Sequence, residues 1–271
     1  MKIARVFPTK TSMSPTGEGI YFGCFPWWVE KYEYDEIHIS VTFTWDIERA
    51  YEWKEAWELK HDNVKIGGPA IDGESREPFI AGMYLKKGVT ITSRGCPNDC
   101  EFCLVKQDLK ELDDFPAGNI VQDNNILACS WEHLRKVSQM LKTQREIEFK
   151  GGLQSALITP NVVDWLRSLR IKTLWLACDS HNALPSLARA VSLLSTGGFN
   201  RNKIYCYVLI GKDIAEETER LYEVLRIGCM PFAQLYQPST SKIYDKEWER
   251  FQREWARPAI IRTKIKKEVL E

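Results

Sequence analysis

The sequence predicts an α/β fold: a partial (β/α)6, TIM-like barrel preceded by a small N-terminal βαβ layer. Three observations predict it. Six short apolar, β-like runs start at residues 89, 119, 146, 173, 204 and 231. Those starts are 30, 27, 27, 31 and 27 residues apart, and a strand with its crossover helix takes about 30 residues. The intervals between them carry apolar residues at helical spacing. Six units are too few to close an eight-stranded barrel, so the sheet stays partial or open. Ligands are then expected at the C-terminal ends of the strands.

The elements follow in order. DEIHISVTFTW from Asp35 and VKIGG from Val64 read as two strands, with a Trp-rich helix from Ile47 to Leu59 between them. This is the small layer, assigned to residues 1–85. The Gly67-Gly68-Pro69 turn ends it, and Gly17 and Gly19 lack the strand–turn–helix context of a nucleotide fingerprint. The core, residues 86–240, opens with VTITS from Val89 and continues with NIVQD, EIEFKG, TLWLACD, IYCYVLIG and PFAQLY. After Ser130, the residues Leu134, Val137, Met140 and Leu141 make one helical face. Thr159-Pro160 reads as an N-cap with Pro at the first helical position. Ala183 to Ser195 is apolar at helical spacing. Asp213 with Glu216 reads as a capping box, and Gly228 as a helix stop. Residues 241–271 read as a basic helical tail with Arg257, Arg262, Lys264, Lys266 and Lys267.

Composition narrows the function classes. The chain has 271 residues, 44% hydrophobic, with 37 basic and 37 acidic side chains and a formal net charge of zero. That excludes a disordered chain and a protein that coats nucleic acid by bulk charge, although a local basic patch stays open. No run reaches the ~18 apolar residues of a membrane helix. The first residues, MKIARVFPTKTSMSP, lack a signal-peptide core. No membrane partner and a cytoplasmic location are therefore expected.

The cysteines are unevenly spread. There are eight, and Cys96, Cys100 and Cys103 crowd into GVTITSRGCPNDCEFCLV directly after the first core strand. Three thiols on one loop of polar residues suit a soft metal, which means zinc or an iron–sulfur cluster. Structural zinc takes four ligands, and all four histidines (His38, His61, His133 and His181) lie more than 25 residues away. A [4Fe–4S] cube ordinarily takes four Cys. Three would leave one iron open to a small chelating molecule. An unmetallated loop is the third reading. Cys129, Cys178, Cys206 and Cys229 fall in or near strands and read as small buried residues.

The spacing C-x3-C-x-aromatic-C, here CPNDCEFC, after strand one of a six-fold βα series resembles the radical S-adenosylmethionine superfamily. The resemblance covers about residues 86 to 240 and implies a partial barrel of that type. It implies a [4Fe–4S] cluster on Cys96, Cys100 and Cys103, with S-adenosylmethionine chelating the fourth iron. One-electron cleavage would then give a 5′-deoxyadenosyl radical that abstracts hydrogen from an unidentified substrate. It implies Phe102 as the aromatic near the adenine. After the second strand the family places Gly-Gly-Glu; here Gln122-Asp123-Asn124-Asn125 stands there, and Asp123 and Asn124 are the candidates for the cofactor's amino group. Gly151-Gly152 is the motif if the strand count is off by one. Ile210 and Gly211, in LIGKDIAEE, match the place where backbone meets the adenine. Asp179 and Ser180 follow strand four, where ribose or substrate contacts belong, and Lys150 and Gln234 also fall at strand ends without an assigned role. Cys178 is a candidate catalytic thiol.

The resemblance implies an external electron donor such as flavodoxin or ferredoxin. VKIGGPA is similar to the end of a cobalamin-binding-type Rossmann layer, but no D-x-H-x-x-G stretch exists, so no cobalamin is expected. Two other readings stand beside the enzyme: a non-enzymatic, metal-stapled binding module, and an RNA-modifying member of the same superfamily resting on the basic tail.

Overall fold

The structure is a computed structural model that describes residues 2–23, 33–71, 84–105, 108–238 and 242–268. The chain forms two units, one from the first 89 residues and one from residue 90 onward.

The first unit holds β1 (Ile3–Phe7), β2 (Ile20–Phe22), β3 (Glu36–Ser40), α1 (Ile47–Glu58) and β4 (Val64–Gly67). Its strands run parallel in the order β2-β1-β3-β4. The βαβ layer expected from the sequence is therefore half of a four-stranded sheet. β1 and β2 add five and three residues that are too short for periodicity to mark. Ile37, Ile39, Ala4 and Val6 pack with Trp57 of α1 in a core of their own. Lys65 and Glu36 pair at 3.3 Å, and Glu36 also accepts from His38 Nε2 at 2.6 Å. His38 Nδ1 meets the Tyr84 hydroxyl.

The second unit begins with β5 (Gly88–Thr90), β6 (Ser93–Arg94), β7 (Lys110–Glu111) and β8 (Gly118–Val121). It continues with α2 (Trp131–Lys142), β9 (Ile147–Leu153), α3 (Pro160–Arg167), β10 (Ile171–Ala177) and α4 (Leu184–Thr196). β11 (Ile204–Ile210), α5 (Ile214–Ile227), β12 (Met230–Leu235), α6 (Lys246–Trp255) and α7 (Pro258–Glu268) complete it. All six expected core strands are present. They form one sheet in the order β12-β11-β10-β9-β8-β5, with parallel pairing from β8 through β12. Strands laid down strictly in chain order, with right-handed crossovers, put successive helices on one face. This is an open α/β sheet compatible with a partial barrel.

Local chemistry explains the helices. The Ser130 hydroxyl accepts from His133 N at α2, Thr159 from Val162 N at α3, and Asp213 from Glu216 N at α5. Gly228 stops α5 at φ +108°. The strand residues facing the helices, such as Phe149, Leu174, Leu176, Cys206 and Val208, join Leu187, Leu194, Leu221 and Val224 in one core. The segment expected as a separate tail packs as α6 and α7, with Trp255 and Ile261 fully buried in that core. Among the described residues, no helix is long and apolar enough to cross a membrane.

Candidate metal and cofactor site

Parallel strands in chain order bring every C-terminal strand end to one edge of the sheet. The Cys loop sits at that edge. Its roots are held by an antiparallel ribbon missed in the sequence, in which Ser93 pairs with Glu111 and Arg94 with Lys110. Cys96, Cys100 and Cys103 are partly exposed and carry no disulfide. Cys103 N donates to Cys100 O at 3.0 Å, so the last two cysteines share one tight turn. Phe102, between them, is 37% exposed.

Beneath the loop lies a buried polar network. Asp123, 1% exposed, accepts from Thr92 N at 2.6 Å, Thr92 Oγ1 at 2.5 Å and Ser93 Oγ at 3.1 Å. Thr92 Oγ1 also meets His133 Nε2 at 3.1 Å. Burial raises the Asp123 carboxyl above the usual carboxylate range, against these hydrogen bonds. Asp123 thus fixes the strand that launches the loop, and its carboxylate is turned inward rather than toward a ligand. Asn124 Oδ1 accepts from Gly95 N at 3.0 Å and holds the residue before Cys96. Gly151 lets β9 approach this corner: a Cβ there would stand 1.9 Å from Asp123 O. The pairing of β9 with β10 slips just here, between Phe149 and Leu153, a bulge that re-aims the strand end.

Two residues not singled out from the sequence complete the corner. Asn125 Nδ2 donates to Cys96 Sγ at 3.4 Å and to Gln154 Oε1 at 2.7 Å. Asn98 Nδ2 reaches the same Gln154 oxygen at 3.0 Å. The sulfurs receive further N–H groups, Asn98 N on Cys96 at 3.5 Å and Val105 N on Cys103 at 3.4 Å. Asn125 Oδ1 and Ser155 Oγ are buried without a hydrogen-bond partner. A metal-bound thiolate can only accept, so a loop that aims N–H groups at its sulfurs fits a thiolate ligand set. Among the described residues, no three His, Cys, Asp or Glu side chains converge on one metal-ion position.

The other candidates lie further along the edge. Asp179 Oδ1 accepts from Leu209 N at 3.1 Å, tying the end of β10 to β11. Burial raises its carboxyl, opposed by the Leu209 bond and by Arg220. Ile210 is 1% exposed and its carbonyl accepts from Tyr236 N at 2.8 Å. Gly211 N donates to both Glu217 oxygens at 2.9 Å, and Gly211 O accepts from Lys242 Nζ at 3.0 Å. Gly211 stands at φ +129°, and a Cβ would meet the Tyr244 hydroxyl at 2.3 Å. These backbone groups are already paired, so this turn can offer an adenine packing but no hydrogen bond from them.

Cys178, the candidate catalytic thiol, faces the core. Its side chain is fully buried, donates to Ser180 O at 3.6 Å, and burial pushes the thiol up to about 12. It has no surface to meet a substrate and is not a thiolate at neutral pH. Cys129, Cys206 and Cys229 are buried as expected, and Cys24 lies outside the described residues.

The sheet face away from the helices is polar and aromatic. Trp175 stacks on Tyr205 and on Tyr207, each at 4.6 Å, with Phe232 edge-on. Glu148 pairs with Lys150 and Lys172, both at 3.3 Å. Burial alone would raise Glu148, but the two lysines outweigh it and lower its carboxyl. The chain matches no family model, no curated protein and no solved structure.

Proposed function

We propose that the protein is a radical S-adenosylmethionine enzyme acting on a substrate not yet identified. The observation that carries this reading is the C-x3-C-x-Phe-C loop at the C-terminal edge of a six-stranded sheet laid down in chain order. Cys96, Cys100 and Cys103 would hold a [4Fe–4S] cluster and leave one iron without a protein ligand. A cluster held there, once reduced by an external one-electron donor, would supply the electron for cleaving the C5′–S bond of S-adenosylmethionine.

The chain's own residues prepare that corner. Asp123, Thr92 and Ser93 fix the launching strand, Asn124 fixes Gly95, and the β6–β7 ribbon holds both roots of the loop. The aromatic and charged face with Trp175, Tyr207, Glu148 and Lys150 offers a substrate both ring surface and ion-pairing groups. Glu148 and Glu146 balance Lys150 and Lys172 there, so the face carries charge without a net sign.

The test is anaerobic reconstitution with iron and sulfide, then S-adenosylmethionine and a reductant. The expected result is 5′-deoxyadenosine and methionine in equal amounts. A reconstituted, iron-loaded protein that makes neither would overturn the proposal. One zinc and no iron in metal analysis would favour a stapled binding module instead.

A further inference from the structure

Asn125 stands just past β8 and is 3% exposed. Its two amide hydrogens go to Cys96 Sγ at 3.4 Å and Gln154 Oε1 at 2.7 Å. The Gln154 oxygen also accepts from Asn98 Nδ2 at 3.0 Å, and Asn98 N donates to Cys96 Sγ at 3.5 Å. One sulfur therefore receives two N–H donors, and both donors are tied to the same glutamine at the end of β9. The orientation of the Asn125 amide follows from the network: an oxygen turned toward Gln154 Oε1 would face another acceptor.

This arrangement has a cost that packing does not explain. Asn125 Oδ1 is left buried and unpaired, which works against folding. An apolar residue at the end of β8 would avoid it. What Asn125 supplies in return is an N–H group aimed at a sulfur.

We infer that Asn125, clamped by Gln154, is a positioning residue for Cys96 that sets the electron affinity of a cluster bound there. The inference rests on the iron–sulfur reading above. A donor on a ligand sulfur withdraws charge, and it does so most in the reduced, more negative state. It therefore raises the reduction potential. Without the donor the reduced state is less stable, and the potential falls.

The experiment uses the full chain, reconstituted anaerobically, with iron and sulfide counted and the midpoint potential read by a titration followed by electron paramagnetic resonance. Asn125→Ala is expected to hold as much iron as the wild type and to titrate at a more negative potential. Asn125→Asp, which replaces the donor by a charge, is expected to fall lower still. Gln154→Leu leaves Asn125 in place but unclamped, and gives a smaller shift in the same direction. A purely structural role would not order the three shifts this way. Equal potentials at equal iron content overturn the inference. Where the Asn125 variants do not fold, an unchanged potential in Gln154→Leu overturns it equally. A wild-type chain that takes up no iron overturns the cluster reading itself, before any variant is compared.

Discussion

Both sheets pair charges across their strands, Glu36 with Lys65 and Glu148 with Lys172, but the six-stranded sheet also carries a polar network at its rim. In the four-stranded sheet, Glu36, His38 and Lys65 close on one another and on Tyr84 within the strands. In the six-stranded sheet, the strands' buried face is apolar, and the network of Asp123, Asn124, Asn125 and Gln154 begins where β8 and β9 end. Both sheets are parallel, so each gathers its C-terminal strand ends on one rim. The order β2-β1-β3-β4 changes direction, whereas β5 through β12 never does. The rim of the six-stranded sheet is the one beside the half-exposed thiols Cys96, Cys100 and Cys103. Polar groups inside a sheet build stability; polar groups at its rim can meet a ligand.

The largest expected effect separates the two sheets directly. Cys96→Ala, Cys100→Ala or Cys103→Ala should take the reconstituted chain from about four irons to none by iron assay. His38→Phe in the other sheet, and Cys229→Ala in the core, should leave the count unchanged. Iron retained by all three loop variants would remove the distinction between rim and interior.

A smaller effect tests the close approach of β9 to β8. Gly151→Ala places a Cβ 1.9 Å from Asp123 O, so backbone must move. Overpacking of this kind costs about 1–3 kcal/mol, read as a lower urea midpoint. An unchanged midpoint would mean that the rim is looser than its hydrogen bonds imply.

The smallest effect is a difference in acid response. Burial lowers the His38 imidazole, so the folded chain binds its proton less readily than the unfolded chain. Its contribution is present above the unfolded pKa of about 6.5 and is lost as pH falls through the folded value. Burial raises Asp123 and Asp179. Their contribution is present below about 3.9 and is lost as pH rises through the folded values. Between pH 7 and 5, protection of the β3 amides from hydrogen exchange should therefore weaken while that of β10 holds. The His38→Phe variant should abolish the change in β3. Equal pH dependence in both sheets would break the comparison.

The core strands were legible because each carries a run of apolar residues and the runs repeat at nearly constant spacing. The helix starts at Ser130, Thr159 and Asp213 were legible because capping is local. β1 and β2 were not, since three to five residues show no period. At the site, the cysteines announced themselves by crowding on one short loop. Asn125 and Gln154 did not. They bond across 29 residues, and Gln154 reaches Asn98 across 56. A polar residue after a strand looks the same in sequence whether it faces water or a sulfur. His133 shows the same limit: it sits far from the cysteines along the chain, yet its ring reaches Thr92, four residues before Cys96. Cys178 shows the converse, a residue at the right strand end whose side chain points into the core.

The ribbon of β6 and β7 has a consequence for how the protein would meet a metal. In a zinc finger the ion is the core, and removing it unfolds the chain. Here the two roots of the loop are stitched together by backbone pairing, and the floor beneath it is a carboxylate with three internal donors. These contacts do not involve the cysteines, so little of a bound guest's affinity would be consumed in organising the polypeptide. A chelator should strip such a site and leave a folded protein that can be recharged.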